Sequence, residues 1–257
     1  MPGSPFDTRG FSRDEYRLRG VRTVVYSIGE GLPVMYWHGR GTWHGFAWAR
    51  ELQSHFRMLL PYHPGFGESA DDPTIGSLDG YLRHYAALFD ELELPQVPLI
   101  GASFGGFMAA HFALAHPERV SKLILVAPFG LSSPEHPLAD YRNVPLEALP
   151  AWFAVDTALL APFWPDRWIE RREREQASGE RALAGSRTGA ALASDLGALK
   201  APTLILWGRN DRILPAGLAS LWQAALPQAR VRLIDDAGHL LLDESAPARR
   251  ELESFLR

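Results

Sequence analysis

A chain of 257 residues with 46% hydrophobic and 22% charged side chains is long enough for one sizeable buried core plus an inserted element. Its formal net charge of -4 argues against binding driven by a basic surface, whether to nucleic acid or to a polyanionic membrane face. The absence of cysteine removes disulfides, thiolate metal sites and a thiol nucleophile together.

The first twenty residues lack the apolar core of a signal peptide, and no apolar stretch reaches the roughly 18 residues a membrane span needs. The expected location is therefore cytoplasmic, with no membrane span. Runs rich in Val, Ile and Leu at 21–28, 34–37, 58–62, 97–100, 123–127, 203–207 and 231–234 read as strands. They are continuous rather than alternating, as strands of a parallel sheet covered on both faces are. Between them, 78–92 sets Leu78, Leu82, Tyr85, Leu88, Phe89 and Leu92 on one helical stripe, 107–116 is an Ala- and Phe-rich helix, and 246–256 closes the chain as a third. The alternation predicts an α/β fold, with a mostly parallel central sheet flanked by helices on both faces.

Residues 130–197 break the rhythm with prolines at 134, 137, 145, 150, 162 and 165 and with the aromatics Trp152, Phe153, Phe163, Trp164 and Trp168. The expected arrangement is a helical cap inserted at 130–197 over the carboxyl end of the sheet, the core being 1–129 and 198–257. Within it, RREREQ at 171–176 mixes both signs of charge and reads as a solvated helix face.

Residues 99–107 read LIGASFGGF. With 23 glycines and sixteen serines, G-x-S-x-G should arise by chance in about one such chain in eight, so the motif needs structural context. Ser103 has it, lying between an expected strand and an expected helix. A serine on that turn is strained, and only small residues such as Gly101 and Gly105 let strand and helix approach closely enough. The helix amino terminus would then offer the Phe104 amide to a forming oxyanion. A serine hydroxyl needs a base and a carboxylate further along the same sheet edge. WGRND puts Asp211 just past a strand, and DDAGH puts His239 in the next loop, with Asp235 and Asp236 close to it in sequence. Asp211 is the preferred carboxylate and Asp236 the alternative. His44, His55 and His63 are too irregularly spaced for a metal site, and no metal or other cofactor is expected.

With YWHGRG at 36–41, HPGFGES at 63–69, GASFGG at 101–106 and the pairing of WGRND with AGH, nearly the whole chain resembles the α/β-hydrolase family. The resemblance implies a Ser103, Asp211 and His239 triad and places the second oxyanion amide at Arg40, with Gly41 as fallback. It makes Ser69 part of a structural glycine-rich loop. His38, Gly39 and Gly41 are expected beside the substrate, with Trp152, Phe163 and Trp164 as an apolar roof. The implied activity is hydrolysis of a small, largely apolar carboxylic ester through an acyl-enzyme, by a monomer or homodimer. Carbon–carbon bond hydrolysis, lactonase and perhydrolase activity share the triad, and a catalytically silent ligand binder is a further alternative. Family members that cleave carbon–carbon bonds typically carry GNS at the elbow and Trp after the histidine, where this chain has GAS and GHL.

Overall fold

The computed structural model describes residues 6–141 and 143–257. Among the described residues, eight strands form a sheet in the order β1-β2-β4-β3-β5-β6-β7-β8. They are β1 Ser12–Leu18, β2 Val21–Ile28, β3 Leu32–Trp37, β4 Phe56–Pro61, β5 Val97–Ala102, β6 Val120–Val126, β7 Thr203–Gly208 and β8 Arg230–Ile234. Only β2 runs antiparallel to its neighbours β1 and β4, so the sheet is mostly parallel from β4 to β8.

Why the strands read as continuous apolar runs is visible in their alternation. Leu123 and Leu125 of β6 enter one core layer, Ile124 and Val126 the other. The first layer is closed by α1 (Leu78–Glu91), α2 (Phe104–Ala115) and α6 (Leu218–Ala225). The second is closed by a short 3-10 helix at Ala47–Leu52 and by α7 (Leu241–Glu244) and α8 (Ala246–Leu256). Helix α2 is buried on nearly every side, which explains its all-apolar composition better than an amphipathic stripe would.

Between β6 and β7 lie α3 (Pro150–Phe153), α4 (Asp166–Leu183) and α5 (Gly189–Leu196). Trp43, Leu149, Leu160 and Trp168 form a third, smaller apolar cluster there. Leu192 and Leu196 of α5 instead join the first core layer.

The two outermost strands carry charge. On β1, Arg13 pairs with Glu15 at 2.8 Å and Glu68 at 2.9 Å. On β8, Arg230 and Arg232 reach Glu251 of α8 at 2.8 and 3.4 Å. Strand β1 departs from the sequence expectation, which has no strand there. Its SRDEYRL is exposed along most of its length and carries no apolar run. Helix α2 starts at Phe104, which makes Ser103 its N-cap residue. No described helix is long and apolar enough to cross a membrane.

Candidate active site

The loops leaving the carboxyl ends of β3, β5, β6, β7 and β8 meet around a cavity of about 250 Å³. Ser103 sits on its wall at φ 51° and ψ -115°, a sparsely populated conformation for a residue with a Cβ, costing of order 1–3 kcal/mol. Its amide donates to the Val126 carbonyl at 2.8 Å, and its carbonyl accepts from the Phe107 and Phe129 amides. The side chain makes no capping bond to α2. Close approach dictates the flanking glycines. A Cβ on Gly101 would lie 2.5 Å from the Gly105 carbonyl oxygen, and one on Gly105 would lie 2.2 Å from that of Trp37.

His239 lines the same cavity and bonds Asp211 through Nδ1, at 2.8 Å from Oδ2. The other carboxylate oxygen accepts the Ile213 and Leu214 amides, each at 2.8 Å, and the side chain is fully buried. These bonds leave Asp211 little freedom to turn. Asp236 is exposed in a positive-φ turn, and Asp235 ion-pairs with Arg209 at the surface. Of the sequence candidates, Asp211 alone bonds the histidine.

Gly39, Arg40, Gly41 and Phe104 also lie on the cavity wall. Gly39 sits against the serine, since a Cβ there would come within 3.3 Å of the Ser103 Cβ. Phe104 opens α2, whose first-turn amides have no partner within the helix.

Four sequence expectations are corrected. His38, Trp152, Phe163 and Trp164 are absent from the cavity wall, where Tyr141, Phe153, Leu138 and Leu183 form the roof. Successive residues of a helix point about 100° apart, so Phe153 turned inward leaves Trp152 turned away. Phe163 and Trp164 pack into the third apolar cluster, with Trp164 4.9 Å from Trp168 between ring centres. His38 lies buried beneath the loop after β3. Its Nε2 accepts from the His63 amide at 3.1 Å, so Nδ1 carries the proton and donates to the Gly39 carbonyl at 2.7 Å. His63 Nε2 in turn donates to the His38 carbonyl at 2.8 Å, leaving Nδ1 to accept from the Tyr85 hydroxyl. Ser69 is a structural link as expected, accepting from the Val24 amide and donating to the Tyr62 carbonyl.

Burial pushes His38 down to about 3 and His84 to about 4, and holds His63 well below its ordinary value. The neutral form is therefore favoured in the folded state. Stability is complete above the ordinary histidine value and falls as pH drops below it, because the unfolded chain then binds protons that the native chain refuses. Each such histidine should remove roughly 1.4 kcal/mol per pH unit below about pH 6.5. Urea unfolding followed from neutral pH downward checks this, and a flat profile would contradict it.

The run at 171–176 is only in part the solvated face its composition suggests: residues 172, 173, 174 and 176 are exposed, Arg171 and Glu175 are not. Arg171 and Glu175 are each 2% exposed, and both reach the loops over the sheet. Glu244 does similar work beside the histidine, with its carboxylate accepting from the Gly238, Val155 and Asp156 amides. Neither acid is marked by any sequence motif. A second cavity of about 270 Å³ shares Arg40, Gly41, Trp43 and Tyr141 with the first and adds Arg172, which lies over the Trp168 ring.

Among known proteins, the sequence profile described as alpha/beta hydrolase fold matches residues 32–172 and 171–246. A 2-hydroxy-6-oxononadienedioate/2-hydroxy-6-oxononatrienedioate hydrolase of Cupriavidus pinatubonensis is 30% identical, over 92% of this chain and 87% of its own. A 2-hydroxy-6-oxo-2,4-heptadienoate hydrolase of Pseudomonas putida is also 30% identical, over 86% and 87%. A crystal structure of a bacterial membrane phospholipase A superposes with a TM-score of 0.83 at 20% identity, covering 96% of this chain and 86% of that one, a likeness of fold alone. From the matched profile and these two relatives, the chain belongs to the α/β-hydrolase family.

Proposed function

We propose that the chain is a serine hydrolase that cleaves the carbon–carbon bond beside the ketone of a 2-hydroxy-6-oxo-dienoate. The observation that carries the reading is the length of the kinship: relatives aligned over most of both chains are named for that compound class. In this reading His239 takes the Ser103 proton, Asp211 holds its tautomer, and the Arg40 and Phe104 amides receive the oxyanion.

The compound itself explains how such a triad could break a carbon–carbon bond. The 2-hydroxy-dienoate can tautomerise to the 2-oxo form, with a proton gained at C5. Ser103 Oγ then attacks C6, and the C5–C6 electron pair leaves as a dienolate conjugated with the 2-oxo group. The dienolate takes the serine-derived proton from His239, and water, deprotonated by the histidine so restored to its neutral form, displaces Ser103 Oγ and releases the acyl group as an acid. The carboxylate end of such a compound needs positive charge, and Arg40 and Arg172 on the adjoining cavity could supply it. The segment 130–197 would be the cap, with Leu138, Tyr141 and Phe153 overhanging the serine and α5 anchored in the core.

The second reading is ester hydrolysis, favoured by the mostly apolar wall and by Ala102 and Leu240 beside the serine and histidine. The discriminating experiment gives the purified chain a phenyl-substituted 2-hydroxy-6-oxo-dienoate and a series of p-nitrophenyl esters. We expect bleaching of the dienoate chromophore, with kcat/KM exceeding that of the best ester by at least about tenfold. Turnover of esters alone would overturn the carbon–carbon reading in favour of the second.

A further inference from the structure

Helix α4 carries two buried charged side chains that the catalytic reading does not use, Arg171 and Glu175. Four residues apart, they project from one face of the helix. Glu175 spends its carboxylate on two loops. Oε1 accepts from the Thr42 hydroxyl at 2.5 Å and from the Gly67 amide at 2.8 Å, and Oε2 accepts from the Thr42 amide at 3.2 Å. Arg171 and Arg174 both donate to the Gly67 carbonyl, so α4 grips that residue through both of its backbone groups. One turn further on, the Arg40 guanidinium donates to the Gln176 carbonyl at 3.3 Å and packs over Gly179. A Cβ on Gly179 would come within 2.8 Å of the Arg40 Nε.

The contacts from Glu175, Gln176 and Gly179 converge on residues 40–42, which have left the ladder of β3. Gly39 lies against Ser103 at one end of the stretch, Thr42 is tied to Glu175 at the other, and Gly41 between them has φ 143°. Rotation of the Arg40 peptide is thus set from two sides: the Gly39 carbonyl accepts from His38 Nδ1 at 2.7 Å and from the Gly41 amide at 2.9 Å, and α4 holds Thr42. A buried carboxylate suits the task, because it accepts from both Thr42 donors and the Gly67 amide without offering a competing donor. Glutamine in its place would turn an NH2 group toward one of them.

We propose that Glu175 is a positioning residue for the oxyanion hole, fixing through Thr42 the direction in which the Arg40 amide faces Ser103. The proposal rests on the triad reading above, though not on which substrate is cleaved. It couples a helix of the inserted segment to the rate of attack at the serine.

A fluorophosphonate probe reads this directly, because the phosphonylated serine carries an oxygen in the oxyanion hole. Misplacement of a catalytic group by about 1 Å can cost a hundredfold in rate. Glu175→Gln should therefore still label fully at Ser103, but at a rate lower by about tenfold to a hundredfold. A phenylboronic acid, whose adduct is tetrahedral, should lose affinity by a similar factor, while benzoate, which forms no tetrahedral adduct, should bind as in the unaltered protein. Thr42→Val, which removes the hydroxyl and keeps the amide, should shift the same readouts in the same direction by less. It decides the question alone if Glu175→Gln does not fold. Labelling within about twofold of the unaltered protein in the folded variants overturns the proposal, as does equal weakening of boronate and benzoate. Failure of the unaltered protein to label at all would overturn the triad reading and this inference with it.

Discussion

Ser103→Ala is expected to lower kcat by about a millionfold, with the fold intact. Both residues carry a Cβ, so the positive-φ backbone at this position is no more strained in the variant. The hydroxyl makes no capping bond to α2, so its removal should leave the helix start undisturbed. Thermal unfolding should shift by no more than about 2 °C, in keeping with a change under half a kcal/mol. Single-turnover kinetics on the preferred substrate, beside a melting curve, checks both halves. Turnover retained above about a thousandth of the starting rate would remove Ser103 from the mechanism.

Asp211→Asn should cost about ten-thousandfold in kcat for a different physical reason. The amide oxygen of asparagine can still accept the Ile213 and Leu214 amides, so the loop after β7 should keep its shape. The amide nitrogen would then face His239 Nδ1, which at present bonds the Oδ2 oxygen at 2.8 Å. A donor there forces Nδ1 to accept, and the ring proton moves to Nε2, the atom that should receive the serine proton. Substrate binding requires no such transfer, so KM should change far less than kcat. An Asp211→Asn variant with more than about a tenth of the original kcat would show that another group fixes the tautomer.

What could be read in the sequence follows how each signal is built. The central strands were legible because burial on both faces selects unbroken Val, Ile and Leu, as in TLILWG, whose six residues are all buried. That Ser103 and His239 would share one cavity, with Asp211 bonded to the histidine, was legible because each of the three lies in the loop after a strand on the same sheet edge. Strand β1 was not, since an exposed strand held by its neighbour's backbone needs no apolar run. The roof failed at the level of single residues. Aromatic content marks a buried segment, but whether Trp152 or Phe153 turns inward depends on the phase of a four-residue helix. Arg171 and Glu175 were hidden for a related reason. A charged pair on a helix looks the same in sequence whether it faces water or two polar loops, and only the path of residues 40–42 and 65–69 makes this one internal.

The charges on the two outermost strands bear on how the molecule behaves in a crowded solution. An open sheet ends in unpaired amides and carbonyls to which another chain could add a strand. Here a newcomer beside β1 would meet Arg13, Glu15 and Arg22 already bonded to one another or to Glu68. Beside β8 it would meet Arg230 and Arg232 bonded to Glu251. Either approach must strip water from ionised groups before the first new ladder bond forms. The surface pairs add little to stability, since exposed ion pairs are worth about 0–1 kcal/mol. Their value lies in discouraging fibre-like growth from both open edges of an otherwise strongly apolar sheet.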